Sequence, residues 1–179
     1  MLVLTGAFLL LVTSLLIGSF SEPDFPPYPL GASGDSVYTL DASSGERWQR
    51  FNFARQAVID SGRWDVAFRR NHMITAPEAG ALDLGPVRFD SVMDVPSDGY
   101  AQTRFGDDST NPAIGKWYSY SMLSHLLTTR NHVYAIRTSD GRFVKLQLLA
   151  YYCREVGAAC YTFRYKTTRP RPASSGARK

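Results

Sequence analysis

Cysteine and histidine are scarce in this chain, with two cysteines and three histidines in 179 residues. Structural zinc is held by about four nitrogen or sulfur ligands at short spacings. His72, His125 and His132 have no partner at i+2 or i+4, and there is no Cys/His cluster. A structural zinc site is therefore not expected. The G-x-S-x-G motif of a serine nucleophile is missing, and so are the glycine loops that cradle phosphate. Asp107-Asp108, in a polar stretch, reads as a solvated turn rather than a cation site. This inventory makes no enzyme, and the chain reads as a binding or structural module. Long amphipathic helices are lacking too. Outside the N-terminus no segment keeps a helical repeat over three turns, and residues 121–128 (SMLSHLLT) offer one helical turn.

Charge is absent from the first twenty residues, MLVLTGAFLLLVTSLLIGSF. At about 1.5 Å per residue such a run, as a helix, spans the roughly 30 Å hydrocarbon core of a bilayer. Residues 1–21 are therefore expected to form a transmembrane anchor, with a cleaved signal segment as the rival reading. The run lacks the basic start of a secretory signal, and no cysteine follows it closely that could carry lipid. Glu22 and Asp24 come after it. The soluble part is expected outside the cytoplasm, or secreted if the segment is removed. Residues 22–36, rich in Pro, Gly and Ser, read as a linker. Residues 37–165 are long enough for one domain with a single core.

The net charge of +4 is misleading, because residues 166–179 hold Lys166, Arg169, Arg171, Arg178 and Lys179 with no acid; removing those five leaves −1. A nucleic-acid domain carries its charge on a folded face. Here the excess lies on a short Pro/Ser/Arg tail that reads as disordered, and nucleic acid is not an expected partner.

The folded part is patterned as strands. Residues 132–165 contain three runs: Val133–Ile136, apolar on both faces; Val144, Leu146, Leu148 and Ala150 alternating with Lys145 and Gln147; and Tyr161, Phe163 and Tyr165 alternating with Thr162 and Arg164. Ser139-Asp140-Gly141-Arg142 supplies a tight turn. Upstream, WQRFNFA from Trp48 and RWDVAFRR from Arg63 alternate likewise, Ile74 continues the sheet, and Trp117, Tyr118 and Tyr120 begin another strand. Residues 76–86 read as a turn-rich connection, and Asp65 and Arg69, on one strand face, as an ion pair. About seven short strands with frequent turns predict an all-β fold, a single antiparallel curled sandwich or flattened barrel preceded by one N-terminal hydrophobic helix. Cys153 and Cys160 flank six residues of the last hairpin, so a cross-strand disulfide is geometrically reasonable. Free thiols would suit the cytosol, whereas a compartment outside it favours the bond.

His72 and Met73 end one strand, and Met122 and His125 follow another. Both residue types serve as axial haem ligands, although a methionine beside Leu126 and Leu127 also reads as core filler. The ordered set WDVAFRR, VPSDGY, WYSY, VYAIRTSDGRFVKLQLLAYYC and CYTFRY resembles the HmuY-like family over roughly residues 48–165. The resemblance implies an extracytoplasmic, mostly β, haem-binding protein tethered to a bacterial envelope, with its domain in the periplasm or on the outer face. It further implies haem held between protruding strands by two axial side chains, with Met122 at one ligand place. The interval where the second ligand is expected, AQTRFGDDSTNPAIGK, contains neither His nor Met. His72, Met73 and His125 remain as candidates for the second position. The cofactor is thus expected to be none, or haem. Two functions follow: a non-enzymatic, membrane-tethered accessory or docking subunit of an envelope membrane-protein complex, or, as the resemblance implies, a protein of haem acquisition or carriage.

Overall fold

The computed structural model describes residue 13 and residues 36–153 and 157–171. The N-terminal hydrophobic helix expected for residues 1–21, like the linker, therefore lies outside the described residues apart from Thr13. Among the described residues no helix is long and apolar enough to cross a membrane.

Among the described residues, twelve strands form three open sheets: β1 (Ser36–Asp41), β2 (Gln49–Asn52), β3 (Ala57–Ile59), β4 (Val66–Arg69), β5 (His72–Thr75), β6 (Gly80–Asp83), β7 (Asp94–Pro96), β8 (Tyr118–Tyr120), β9 (Leu127–Thr129), β10 (Val133–Arg137), β11 (Phe143–Tyr152) and β12 (Ala158–Arg171). The main sheet has the order β1-β12-β11-β10-β6, with β7 beside the end of β12. A second sheet runs β3-β2-β4-β5, and β8 and β9 form a separate hairpin. The fold is all-β with antiparallel pairing except β7, which pairs β12 in parallel. The sheets stay open, so the flattened-barrel alternative does not apply.

The core lies between the two larger sheets, where the apolar faces expected from the alternation meet. Phe68 stacks on Phe163 at 5.4 Å and lies 4.7 Å from Tyr161, while Phe51 meets Phe163 edge-on at 5.2 Å. Such ring pairs add about 0.5–1.5 kcal/mol each beyond the area they bury. The register shift after Leu148 puts one extra residue into β11, and the shift after Ala150 puts two into β12. A bulge changes which side chains face the core, and Tyr151 accordingly joins Val144, Leu146 and Leu148 there.

Four features differ from the sequence expectations. First, β6 lies inside the supposed connection 76–86, where Gly80 is needed because a Cβ would come within 2.9 Å of Tyr100 Cβ. Second, β12 continues to Arg171, six residues past the expected domain edge, because β11 and β7 pair with it there. Third, the polar face of β11 is covered. The 3-10 turn Phe89–Ser91 lies over it, Lys145 Nζ donates to the Phe89 and Val92 carbonyls at 2.8 and 2.9 Å, and Lys145 and Arg164 flank the Phe89 ring at 4.3 and 4.2 Å. Fourth, Asp65 forms no ion pair with Arg69. The Arg69 guanidinium lies 4.6 Å over Trp48, and the buried Asp65 carboxylate accepts hydrogen bonds from Phe53 N, Ser139 N and Ser139 Oγ.

Cys153 and Cys160 are disulfide-bonded, with Cα atoms 4.8 Å apart. Closing so short a loop stabilises by roughly 2–3 kcal/mol in the chain-entropy model. Reduction is expected to lower the melting temperature and speed hydrogen exchange in the last hairpin. Unchanged melting in reductant would contradict that role.

Burial also sets the response to alkali. Tyr100 and Tyr151 phenols are pushed up to about 12, first by desolvation. Tyr134, Tyr161 and Tyr165 are also raised, again chiefly by desolvation. Tyr161 Oη has no hydrogen-bond partner among the described residues. The nearby Trp117 indole N–H weakly opposes its shift, but donates its own bond to Asn71 O at 3.0 Å. A raised folded-state value favours the neutral phenol, so this stabilisation is complete below pH 10.0 and lost as pH climbs toward about 12. Phenolate absorbance should therefore show these tyrosines ionising together with unfolding, and independent titration near pH 10.0 in an intact fold would contradict it.

Candidate functional site

The β8–β9 hairpin carries the candidate site. Its base is fixed by Trp117, 1% exposed, whose ring packs against Tyr151 at 5.0 Å and Tyr161 at 5.3 Å. Asn71 Nδ2 donates to Tyr118 Oη at 3.1 Å, and Arg130 N donates to Trp117 O at 2.9 Å. Near the tip, Leu127 N donates to Tyr152 Oη at 2.8 Å. The end of β11 thus supports the upper part of the hairpin.

The tip is a closed turn. Ser121 N donates to Leu126 O, and His125 N donates to Ser121 O, both at 2.9 Å. Ser124 N donates to Ser121 Oγ at 3.2 Å. His125 takes the left-handed conformation, φ 55°, that ends the turn. The single helical turn expected across 121–128 therefore shrinks to this one loop, because β9 pairs Leu127 with Tyr120 and pulls the rest into a strand. Outward from the loop stand Met122, 76% exposed, and Leu123, 83% exposed. Tyr120 is half exposed, and its hydroxyl hydrogen-bonds His125 Nδ1 at 2.5 Å. A thioether, an imidazole and two apolar surfaces share one stiff tip.

The other candidates are dispersed. Met73 is 1% exposed and packs in the core, so it is a packing residue and offers no ligand to a site outside. His72 pairs with Arg69 at the start of β5, next to the Asn71 that braces the hairpin base. His132 Nδ1 is bound by the Asp83 carboxylate at 2.9 Å. Interval 101–116 is a compact turn. Arg104 bridges Thr110, the buried Asn111 bonds Thr75, Thr103 and Ala101, and Phe105 stands exposed at the turn. A Cβ on Gly115 would meet Asn111 O at 2.7 Å, so this stretch is built tightly around Asn111. Tyr120, Leu123 and Tyr152 were not legible as site residues. Their roles rest on exposure at a tip and on a hydrogen bond between residues 25 positions apart.

An open β sandwich with a braced projecting hairpin defines the class, and comparison with known proteins gives the family. The model of the HmuY protein family matches residues 44–165. The chain belongs to the HmuY family. Solved structures agree on the fold. A Tannerella forsythia apo HmuY analog superposes with a TM-score of 0.63 at 14% identity, covering 76% of this chain and 96% of its own. A Bacteroides vulgatus protein provisionally described as HmuY-like and haem-binding gives 0.64 at 18% identity, covering 73% and 90%. A Bacteroides fragilis protein provisionally described as a lipoprotein gives 0.62 at 16%, covering 81% and 97%. No curated protein matches.

Proposed function

We propose that this chain is an extracytoplasmic, non-enzymatic haem-binding module of the bacterial envelope that contacts haem through the tip of β8–β9. The observation that carries the reading is the exposure of Met122 on a hydrogen-bonded turn, at the place the family resemblance assigns to a ligand. Family membership and the haem-binding description of the Bacteroides vulgatus relative support it. The residues fit one face of haem. The Met122 thioether would reach the iron, with His125 as the alternative donor on the same turn, and Leu123 and Tyr120 would lie against the porphyrin. Met73 is buried and interval 101–116 has neither sulfur nor imidazole, which leaves His72, beside the hairpin base, as the one other candidate donor. When bound, haem would supply the iron, Met122 or His125 would hold it, and the chain would supply attachment and orientation. The disulfide and the lipoprotein relative support the location outside the cytoplasm, with residues 1–21 as the anchor.

The ligand-free interval 101–116 favours a second reading, that of a membrane-tethered accessory module without haem. Titrating the purified protein with haemin separates the two. The proposal expects a saturable Soret shift and an affinity at least about tenfold weaker in Met122→Ala, the loss of roughly 1.4 kcal/mol. No shift would favour the accessory role.

A further inference from the structure

The two ends of the main sheet are chemically unlike. Ser36 pairs with Tyr165 and Asp41 with Cys160, so the chain enters β1 at the end where β12 runs on to Arg171. Phe143 of β11 pairs with Thr168 at this same end. The haem-tip hairpin is braced by Tyr152, at the other end of β11. Phe143 and Tyr152 are the two ends of β11, roughly 30 Å apart at about 3.3 Å per residue.

The β1-entering end carries an exposed basic strand, Lys166, Arg169 and Arg171. Beside it is a cleft of about 580 Å³ between β12 and the 90–94 segment. Lys145, Lys166 and Arg169 line it together with Asp90 and Asp94, and Met93, 75% exposed, stands at its side. Inside the cleft the charges nearly balance, and the exposed Arg171 adds to the positive excess of this end.

We infer that this end is the membrane-facing surface of the domain and that it binds the anionic headgroups of the bilayer. The inference rests on the anchor proposed for residues 1–21, and it is independent of haem. The linker of residues 22–35 delivers the domain to the bilayer by the start of β1, which lies beside Lys166. Cations held within a Debye length of an anionic bilayer are attracted to it, and the exposed Met93 beside them suits the apolar boundary below the headgroups. The same geometry turns Met122 and His125 away from the membrane, toward whatever delivers or receives their ligand.

Lysine acetylation tests it. Lys166 marks the basic end, and exposed Lys116, just before the hairpin, marks the hairpin end. The full chain is mixed with zwitterionic vesicles, or with vesicles containing about one-third anionic lipid. Lys166 should label several-fold more slowly with anionic vesicles, with Lys116 unchanged, and high salt or Arg169→Glu/Arg171→Glu should abolish the difference. Equal labelling of Lys166 in both lipids, or protection of Lys116 instead, would overturn the inference. Neither result depends on the haemin titration.

Discussion

Asp65→Ala is expected to destabilise the protein by about 3–5 kcal/mol, the scale of removing one partner from a buried polar network. Asp65 is 1% exposed and precedes β4 in the smaller sheet. One carboxylate oxygen accepts from Phe53 N at 2.8 Å, and the other accepts from Ser139 N at 2.8 Å and Ser139 Oγ at 2.7 Å. Ser139 belongs to the β10–β11 turn of the main sheet. Asp65 therefore fastens the two sheets at one edge, and alanine would leave two backbone N–H donors without their acceptor. Asp65→Asn keeps the shape and one acceptor and should cost about half as much. The neighbouring Asp140 is the contrast. Arg142 and Thr138 hydrogen bonds hold its carboxyl down at about 2. Yet the pair is solvent-accessible, so Asp140→Ala should cost roughly 1 kcal/mol or less. Urea unfolding monitored by circular dichroism measures all three. Equal losses for Asp65→Ala and Asp140→Ala would show that the sheets are not fastened at Asp65.

Trp117→Ala carries the second large effect, about 3–5 kcal/mol for truncating a fully buried tryptophan. Its ring fills the space between Tyr118, Tyr151 and Tyr161, at 5.0, 5.0 and 5.3 Å. Its N–H satisfies Asn71 O. Because the same residue seats β8, the variant should also raise hydrogen exchange across residues 118–129 more than across β10–β12. Trp117→Phe should recover more than half of the loss. A uniform rise in exchange would mean that the hairpin is not separately seated by this ring.

The strands of residues 133–165 were legible because their alternation is regular and both flanking turns contain turn-forming residues. Strand β6 was not, because Gly80 and Ala81 have low strand propensity and are chosen for the close approach of Tyr100 and Ala101. The covered face of β11 was hidden for a related reason. Lys145 and Gln147 read as solvent-facing, and only tertiary placement makes them buried, Lys145 under Phe89 and Gln147 against Asn131 and Arg164. At the site, Met122 and His125 could be read as donors following a strand. Their separation from Met73 could not be read, since the alternation in HMIT does not say which face of β5 meets Phe68 and Phe51.

The central claim is that haem contacts the β8–β9 tip. Hydrogen exchange of the protein with and without haemin tests it most directly. Slowed exchange should be confined to residues 120–126, where Ser121, Ser124 and His125 amides close the turn, and that protection should be lost in Met122→Ala. Protection elsewhere, for example at the 89–94 segment with the tip unchanged, would contradict it.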